Sequence, residues 1–381
     1  MRIAQVAPLY ESVPPKAYGG TERVVSYLTE ELVARGHDVT LFASADSVTN
    51  AKLVTGCPKA LRLDRNCTDP LAHHVVMLEH VARDRDQFDV IHFHTDYLHF
   101  SLARRLALRR LTTLHGRLDM PELAMLYREF QEEPVVSISK AQQTPLPHAR
   151  WAGTVYHGLP SDLYQLREKP GDYLAFLGRV SPEKRLDRAI EIATRLGVVL
   201  RVAAKVDRAD REYYVQKIAP LLHSPYVEFI GEISESEKQE FLGGAKALLF
   251  PIDWPEPFGL VLIEAMACGT PVIAYRRGSV PEIITDGQTG FLVENLDQAV
   301  AAVKRLPELS RQRCRAVFEQ RFTVGRMADE YLALYGAIAE REAGSSDRAR
   351  GGRSLWTKPS AFKTNSTSSP RRPELTNGPA S

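Results

Sequence analysis

Residues 245–275 (AKALLFPIDWPEPFGLVLIEAMACGTPVIAY) constrain the fold more than any other stretch of this chain. Ala247 to Phe250 and Val272 to Tyr275 are apolar runs of strand length, and between them lie an acidic loop and a helix that is apolar almost all round. The helix is predicted to begin near Phe258 or Gly259 and to stop at Gly269, which can take the left-handed terminating conformation, with Pro271 blocking continuation. A strand, helix, strand order of this kind implies a parallel sheet with a right-handed crossover.

Within that helix one residue is charged, Glu264, and a carboxylate on an element with no polar face must be paired or held for a purpose. Glu256 stands eight residues earlier, in the loop where free N–H groups and the positive helix end gather. Carboxylates there suit ligand hydroxyls, and the amides suit phosphate or sugar oxygens. Equally, Glu264 can pair with an internal Arg or Lys while Glu256 caps the helix. The residues by themselves leave both readings open.

With 381 residues the chain exceeds a single hydrophobic core, and the strand, helix, strand rhythm indeed runs twice. Arg2 to Pro8, the helix Thr21 to Arg35 and His37 to Ala43 open the first half, which continues through strands at Asp89 to Phe93, Leu111 to Leu114, Val135 to Ser139 and Gly153 to Tyr156. The rhythm loosens at residues 161–171 and restarts with Tyr173 to Leu177, Val198 to Ala204, Val227 to Ile230, Ala247 to Phe250, Val272 to Tyr275 and Gly290 to Val293. The predicted fold is α/β, with two Rossmann-like doubly wound domains facing across a cleft. The divisions are an N-terminal domain (1–160), a linker (161–171), a C-terminal domain (172–322), an amphipathic helix (323–342) and a tail (343–381) expected to be disordered.

Several strand ends carry polar residues suited to a crevice at strand C-termini. Gly19 and Gly20 close the long loop after the first strand and permit close backbone approach, but GxGxxG is absent. In Gly178-Arg179-Val180-Ser181-Pro182-Glu183-Lys184 two cations bracket a predicted helix start at Ser181 and Pro182, a poor choice for the helix dipole and a good one for a diphosphate. His92, His94 and Asp96 form an HxHxD run of the kind that binds zinc, although Tyr97 stands where a further His belongs; buried, hydrogen-bonded histidines are the commoner arrangement. Leu102 to Leu111 (LARRLALRRL) reads as a basic amphipathic helix carrying Arg104, Arg105, Arg109 and Arg110, packed by its leucines or lying on an anionic membrane.

Net charge is +2, yet residues 343–381 hold seven Lys or Arg against two acids, so the tail is +5 and the remainder −3. That balance argues against nucleic acid as a partner. The four cysteines show no metal spacing, and no run approaches a membrane span. The expected setting is cytoplasmic, with peripheral contact at the inner face of a membrane left open by the basic helix.

Taken in order, the motifs resemble the family 4 glycosyltransferases of GT-B architecture. They are Tyr18-Gly19-Gly20-Thr21-Glu22, Leu114-His115-Gly116, Val136 to Lys140, Phe176 to Arg179 with Pro182-Glu183-Lys184, Phe229-Ile230-Gly231, Glu256-Pro257-Phe258-Gly259 through Glu264 (E-x7-E), and Gly278 to Glu282. His157-Gly158-Leu159 departs from the Asn-Gly-Ile or Asn-Gly-Val usual in that family, and no role is assigned to His157.

The resemblance implies a nucleotide-diphosphate sugar on the second domain and a sugar, lipid or small-molecule acceptor on the first. Arg179 and Lys184 would hold the diphosphate, with Gly19 and Gly20 opposite, and Glu264 would take the ribose. Glu256 and the amides near Phe258, Gly259 and Leu260 would hold the sugar, His115 would lie near sugar and acceptor, and Gly231 to Ile233 would flank the base. It further implies retention of anomeric configuration with no cofactor and no metal. The same architecture can serve a sugar-nucleotide epimerase or a phosphorylase, and non-catalytic sugar binding is a further alternative.

Overall fold

The computed structural model describes residues 1–16 and 19–351, with side chains to Glu340. Tyr18 of the YGGTE motif and residues 352–381 of the basic tail lie outside the described residues.

The first sheet contains β1 (Arg2–Val6), β2 (Asp38–Ser44), β3 (Lys52–Cys57), β4 (Val90–Phe93), β5 (Arg110–Thr113), β6 (Pro134–Ser137) and β7 (Arg150–Thr154), in the spatial order β3-β2-β1-β4-β5-β6-β7. The second contains β8 (Leu174–Arg179), β9 (Leu200–Lys205), β10 (Val227–Gly231), β11 (Ala247–Phe250), β12 (Val272–Tyr275) and β13 (Gly290–Val293), ordered β10-β9-β8-β11-β12-β13. Every pairing is parallel; Ile3, for instance, stands between Val39 and Val90. Burial on both faces explains why the central strands read as unbroken apolar runs. β3 has no such signature in the sequence because it is an edge strand, half exposed and interrupted by Gly56.

Residues 245–275 form β11, the helix Leu260–Ala267 and β12. Leu262, Ile263, Ala265, Met266 and Ala267 are buried on several sides, against Phe318 and Phe322 among others. Only such enclosure tolerates a helix without a polar face.

Two expected elements change. LARRLALRRL is not one helix: Phe100–Leu106 is helical, Ala107 takes a left-handed φ of 49°, and Arg110 and Leu111 enter β5. Leu111 is needed in the sheet core, which overrides the helical spacing. Arg104 is bound by Glu129 and Glu132, and Arg110 pairs with the buried Glu133 at 2.6 Å, so two of the four arginines are committed within the fold. At the other end the last helix runs Val324–Gly351, past the expected end at residue 342 and across the first residues of the tail, since no proline interrupts it.

That last helix lies on the first sheet. Met327, Ala328, Tyr331 and Tyr335 are buried with Ile3, Val24, Leu28, Leu111 and Val136. The chain reaches it by a bridge between Leu159 and Thr323, where Gly158 is so close to Thr323 that an added Cβ would stand 2.2 Å from its carbonyl oxygen.

Candidate functional site

Each sheet reverses its strand order once, between β1 and β4 and between β8 and β11. At such a point the two outgoing connections leave for opposite faces, and a crevice opens beyond the strand ends. The four loops that follow these strands line one cavity of about 690 Å³. It gathers Gly19, Gly20, His115, Arg179, Lys184, Ile233, Glu256, Phe258, Gly259, Leu260 and Glu264, residues up to 245 positions apart in the chain. Gly231 is the exception: with a left-handed φ of 89° it turns the chain after β10, and Glu232 and Ile233 do the lining.

The wall from the second sheet carries most of the charge. Lys184 sits on a 3₁₀ turn, Pro182–Lys184, and the α-helix expected from Ser181 starts only at Leu186, after Arg185 in a left-handed conformation. The helix end therefore does not fall between the two cations, and the positive charge there is supplied by side chains. Lys184 Nζ forms an ion pair with Glu256 Oε2, and Trp254 Nε1–H donates to the same oxygen at 2.9 Å. The ammonium also stands 5.2 Å and 5.5 Å from the ring centroids of Trp254 and Phe250. Arg179 ends β8, pairs with Glu183, and has Asp210 at 3.4 Å and Asp207 at 3.8 Å. Its charge is already surrounded by carboxylates.

Glu264 has the internal partner that one reading required, and it also faces the cavity. It is 3% exposed and accepts from Lys238 Nζ at 2.8 Å. Lys238 continues to Glu235 at 3.2 Å, and Glu235 pairs at 2.7 Å with Arg23 from the first-sheet side and accepts from the Tyr164 hydroxyl. This network ties the two walls together. Gly20 faces the helix start closely, since a Cβ there would lie 3.5 Å from Leu260 Cδ1. Gly259 takes a left-handed φ of 83°, which swings the chain into the helix at the cavity wall.

Histidines dominate the wall from the first sheet. His94 Nδ1 is 2.8 Å from His115 Nε2, and His94 Nε2 is 2.8 Å from Gln5 Oε1. The His115 ring stacks on His157 at 5.3 Å and 17°, and His157 meets Phe258 edge-on at 4.8 Å. Burial pushes the His115 imidazole down to about 3 and holds His92, His94 and His157 well below the ordinary histidine range, so all four are neutral at pH 7.

The zinc arrangement does not form. His92 bonds Tyr335 Oη and Thr113 Oγ1, each at 2.7 Å, and His94 likewise uses both ring nitrogens. Among the described residues no three His, Cys, Asp or Glu side chains converge on a metal position. His92 and His94 serve a hydrogen-bonded core instead, while Asp96, in a left-handed conformation with φ 50°, is exposed at the cavity wall.

Sequence reasoning missed Gln5, Trp254, Lys238 and His157. A signal existed for His157, because it follows β7 as His115 follows β5, but the stacking partners come together only in three dimensions.

Residues 18–177 match the family described as Glycosyltransferase Family 4, and residues 165–321 match Glycosyl transferases group 1. A glycogen synthase of Mycobacterium tuberculosis is 26% identical over 400 residues, covering 87% of this chain and 95% of that protein. Among solved structures, AviGT4, a glycosyltransferase involved in avilamycin A biosynthesis, has a TM-score of 0.68 at 22% identity, covering 89% of this chain and 98% of that one. Anabaena HepE, solved with UDP and glucose, has a TM-score of 0.68 at 18% identity, covering 87% and 98%. Together the two family matches span residues 18–321, one over each sheet.

Proposed function

We propose that this chain, a family 4-like glycosyltransferase of the GT-B type, transfers its sugar with retention of anomeric configuration and without a divalent metal. The nucleotide-sugar donor lies against the second sheet, and the acceptor, a sugar, lipid or small molecule, enters from the first.

The observation that supports this most is the Lys184–Glu256–Trp254 cluster at the reversal between β8 and β11. It sets a cation beside a carboxylate at a strand end, the pair of groups that a diphosphate and the hydroxyls of its sugar require. On donor binding Lys184 exchanges Glu256 for a phosphate oxygen, and Glu256 turns its charge to the sugar hydroxyls, aided by N–H groups near Phe258, Gly259 and Leu260. Arg179 supplies the second cation. Glu264, steadied by Lys238, accepts from the ribose, and Glu232 and Ile233 flank the base.

In the transfer step the bond between the anomeric carbon and the diphosphate oxygen breaks as the acceptor oxygen forms its bond on the same face. The acceptor proton passes to the departing phosphate oxygen. Lys184 and Arg179 stabilise the charge that develops there, an electrostatic contribution already in place before reaction. The neutral His115 lies close to sugar and acceptor as a hydrogen-bonding group.

The test is a panel of nucleotide sugars and acceptors. Nucleoside diphosphate released only when acceptor is present supports transfer. Release without acceptor, or interconversion of the donor alone, would replace it by phosphorylase or epimerase chemistry. Product stereochemistry read by NMR, and activity in the presence of chelator, decide retention and metal dependence.

A further inference from the structure

We propose that Gln5 and His94, anchored by Tyr335 of the last helix, are positioning residues that hold His115 with its proton on Nε2 and a bare Nδ1. The consequence for substrate rests on the sugar-site reading above; the tautomer itself does not.

Donors and acceptors along this chain of side chains can be assigned one by one. Gln5 Nε2 donates to Tyr335 Oη at 3.0 Å, which turns the amide oxygen toward His94 Nε2 at 2.8 Å. An amide oxygen can only accept, so His94 Nε2 carries the proton. His94 is buried and neutral, which leaves its Nδ1 bare and able only to accept. The group it faces at 2.8 Å, His115 Nε2, must then donate. His115 is neutral as well, so its proton is spent on that bond and Nδ1 is left as an acceptor.

Tyr335 continues the relay in the same direction. Its hydroxyl accepts from Gln5 and so gives its own proton to His92 Nδ1 at 2.7 Å, and His92 Nε2–H in turn donates to Thr113 Oγ1 at 2.7 Å. With the Gln5 amide turned over, Tyr335 would donate to Gln5 and accept from His92, and every proton along the relay, that of His115 included, would change sides, so the amide orientation and the His115 tautomer are read together.

The far end of the relay is unmatched. His115 Nδ1 is shielded from solvent and has no hydrogen-bond partner among the described residues, on a residue that lines the cavity. Buried polar atoms are nearly always partnered, and a bare imidazole nitrogen calls for a donor. His115 Nδ1 is closed to a water-sized group in the empty cavity, so the ring or its cover must shift before a hydroxyl of the bound sugar or acceptor, unlike a phosphate or carbonyl oxygen, can donate to it. The relay thus selects a hydroxyl-bearing ligand at this point of the cleft.

The test uses the whole chain labelled with nitrogen-15 histidine, since protonated and bare ring nitrogens give separate signals; His115→Gln assigns the signal. The wild type is expected to show a bare Nδ1 at residue 115. Gln5→Leu is expected to mix the tautomers and lower kcat/KM about 10-fold, while Gln5→Glu, which keeps an acceptor toward His94, retains the wild-type signal and most of the activity. A protonated Nδ1 in the wild type, or wild-type kcat/KM in Gln5→Leu, overturns the proposal. If Gln5→Leu does not fold, the wild-type spectrum decides the tautomer and Tyr335→Phe, with the same expected signal change, decides the relay. A chain that transfers no sugar refutes the function proposed above and leaves the spectrum to judge the tautomer.

Discussion

Glu256→Gln should separate the diphosphate from the sugar. In the ligand-free chain Lys184 is held by Glu256, and the two side chains are only 18% and 11% exposed. A hydrogen bond to a charged partner at such a site contributes about 2 kcal/mol. An amide at 256 still accepts from Lys184 as a neutral group, so about 1 kcal/mol of that restraint is lifted, and a nucleoside diphosphate gains roughly 5-fold in affinity. A nucleotide sugar enjoys the same release and loses about 2 kcal/mol from its own hydroxyls to the missing carboxylate, for a net loss of roughly 5-fold. The ratio of the two dissociation constants therefore shifts by roughly 30-fold. Titration calorimetry with the diphosphate and the sugar nucleotide of whichever base binds the wild type measures both. If the two ligands weaken together, as they should in Lys184→Ala, Glu256 acts by shaping the Lys184 pocket and not by holding the sugar.

Glu264→Gln should weaken a ribonucleotide donor about 10-fold, at about 1.4 kcal/mol for one charged hydrogen bond, and leave the matching deoxyribose analogue nearly unchanged; equal losses would return Glu264 to a purely internal pair with Lys238. Gly158→Ala should destabilise the chain by about 3 kcal/mol, read as a lower denaturant midpoint, because the new Cβ meets the Thr323 carbonyl at 2.2 Å; an unchanged midpoint would mean that the junction of the last helix yields freely. Seven histidines, 37, 74, 92, 94, 99, 115 and 157, have pKa values lowered by burial. The unfolded chain therefore binds protons below about pH 6.5 that the native chain refuses. Stability should be level above about pH 7.5 and fall between about pH 6.5 and 5.5 by about 1 kcal/mol for each of the five held far below the ordinary range, 92, 94, 99, 115 and 157. A urea midpoint that stays flat over that interval would show that these imidazoles titrate normally.

Much of the fold was legible because its central strands are buried on both faces and its helices are closed by Gly and Pro. β11 and β12 appear as apolar runs, and the helix between them needed no tertiary knowledge to be placed. Where two signals competed, tertiary demand decided. LARRLALRRL has helical spacing throughout, yet Leu111 belongs to the sheet and breaks the helix at Ala107. Ser181 and Pro182 look like a helix start, but Arg185 turns left-handed and moves the start to Leu186.

Glu264 illustrates the division between the two sources. That a charged residue in an all-apolar helix needs a counterpart follows from the cost of burying charge, and sequence alone established it. Which counterpart, Lys238, 26 positions upstream, followed from the packing of one helix on another. The histidines illustrate it again. Alternation put His92 and His94 on one face, and spacing allowed either a metal site or a core. The hydroxyls of Tyr335 and Thr113 and the amide of Gln5 decided for the core, and they arrive from strands and a helix up to 330 positions apart. By itself, then, the sequence determined two halves of parallel α/β build and the polar and charged residues at their strand ends, because those rest on periodicity and local capping. Only the tertiary structure decided which nitrogen donates and which carboxylate is paired, because a hydrogen bond depends on distances of a few ångströms between residues that the chain order keeps far apart.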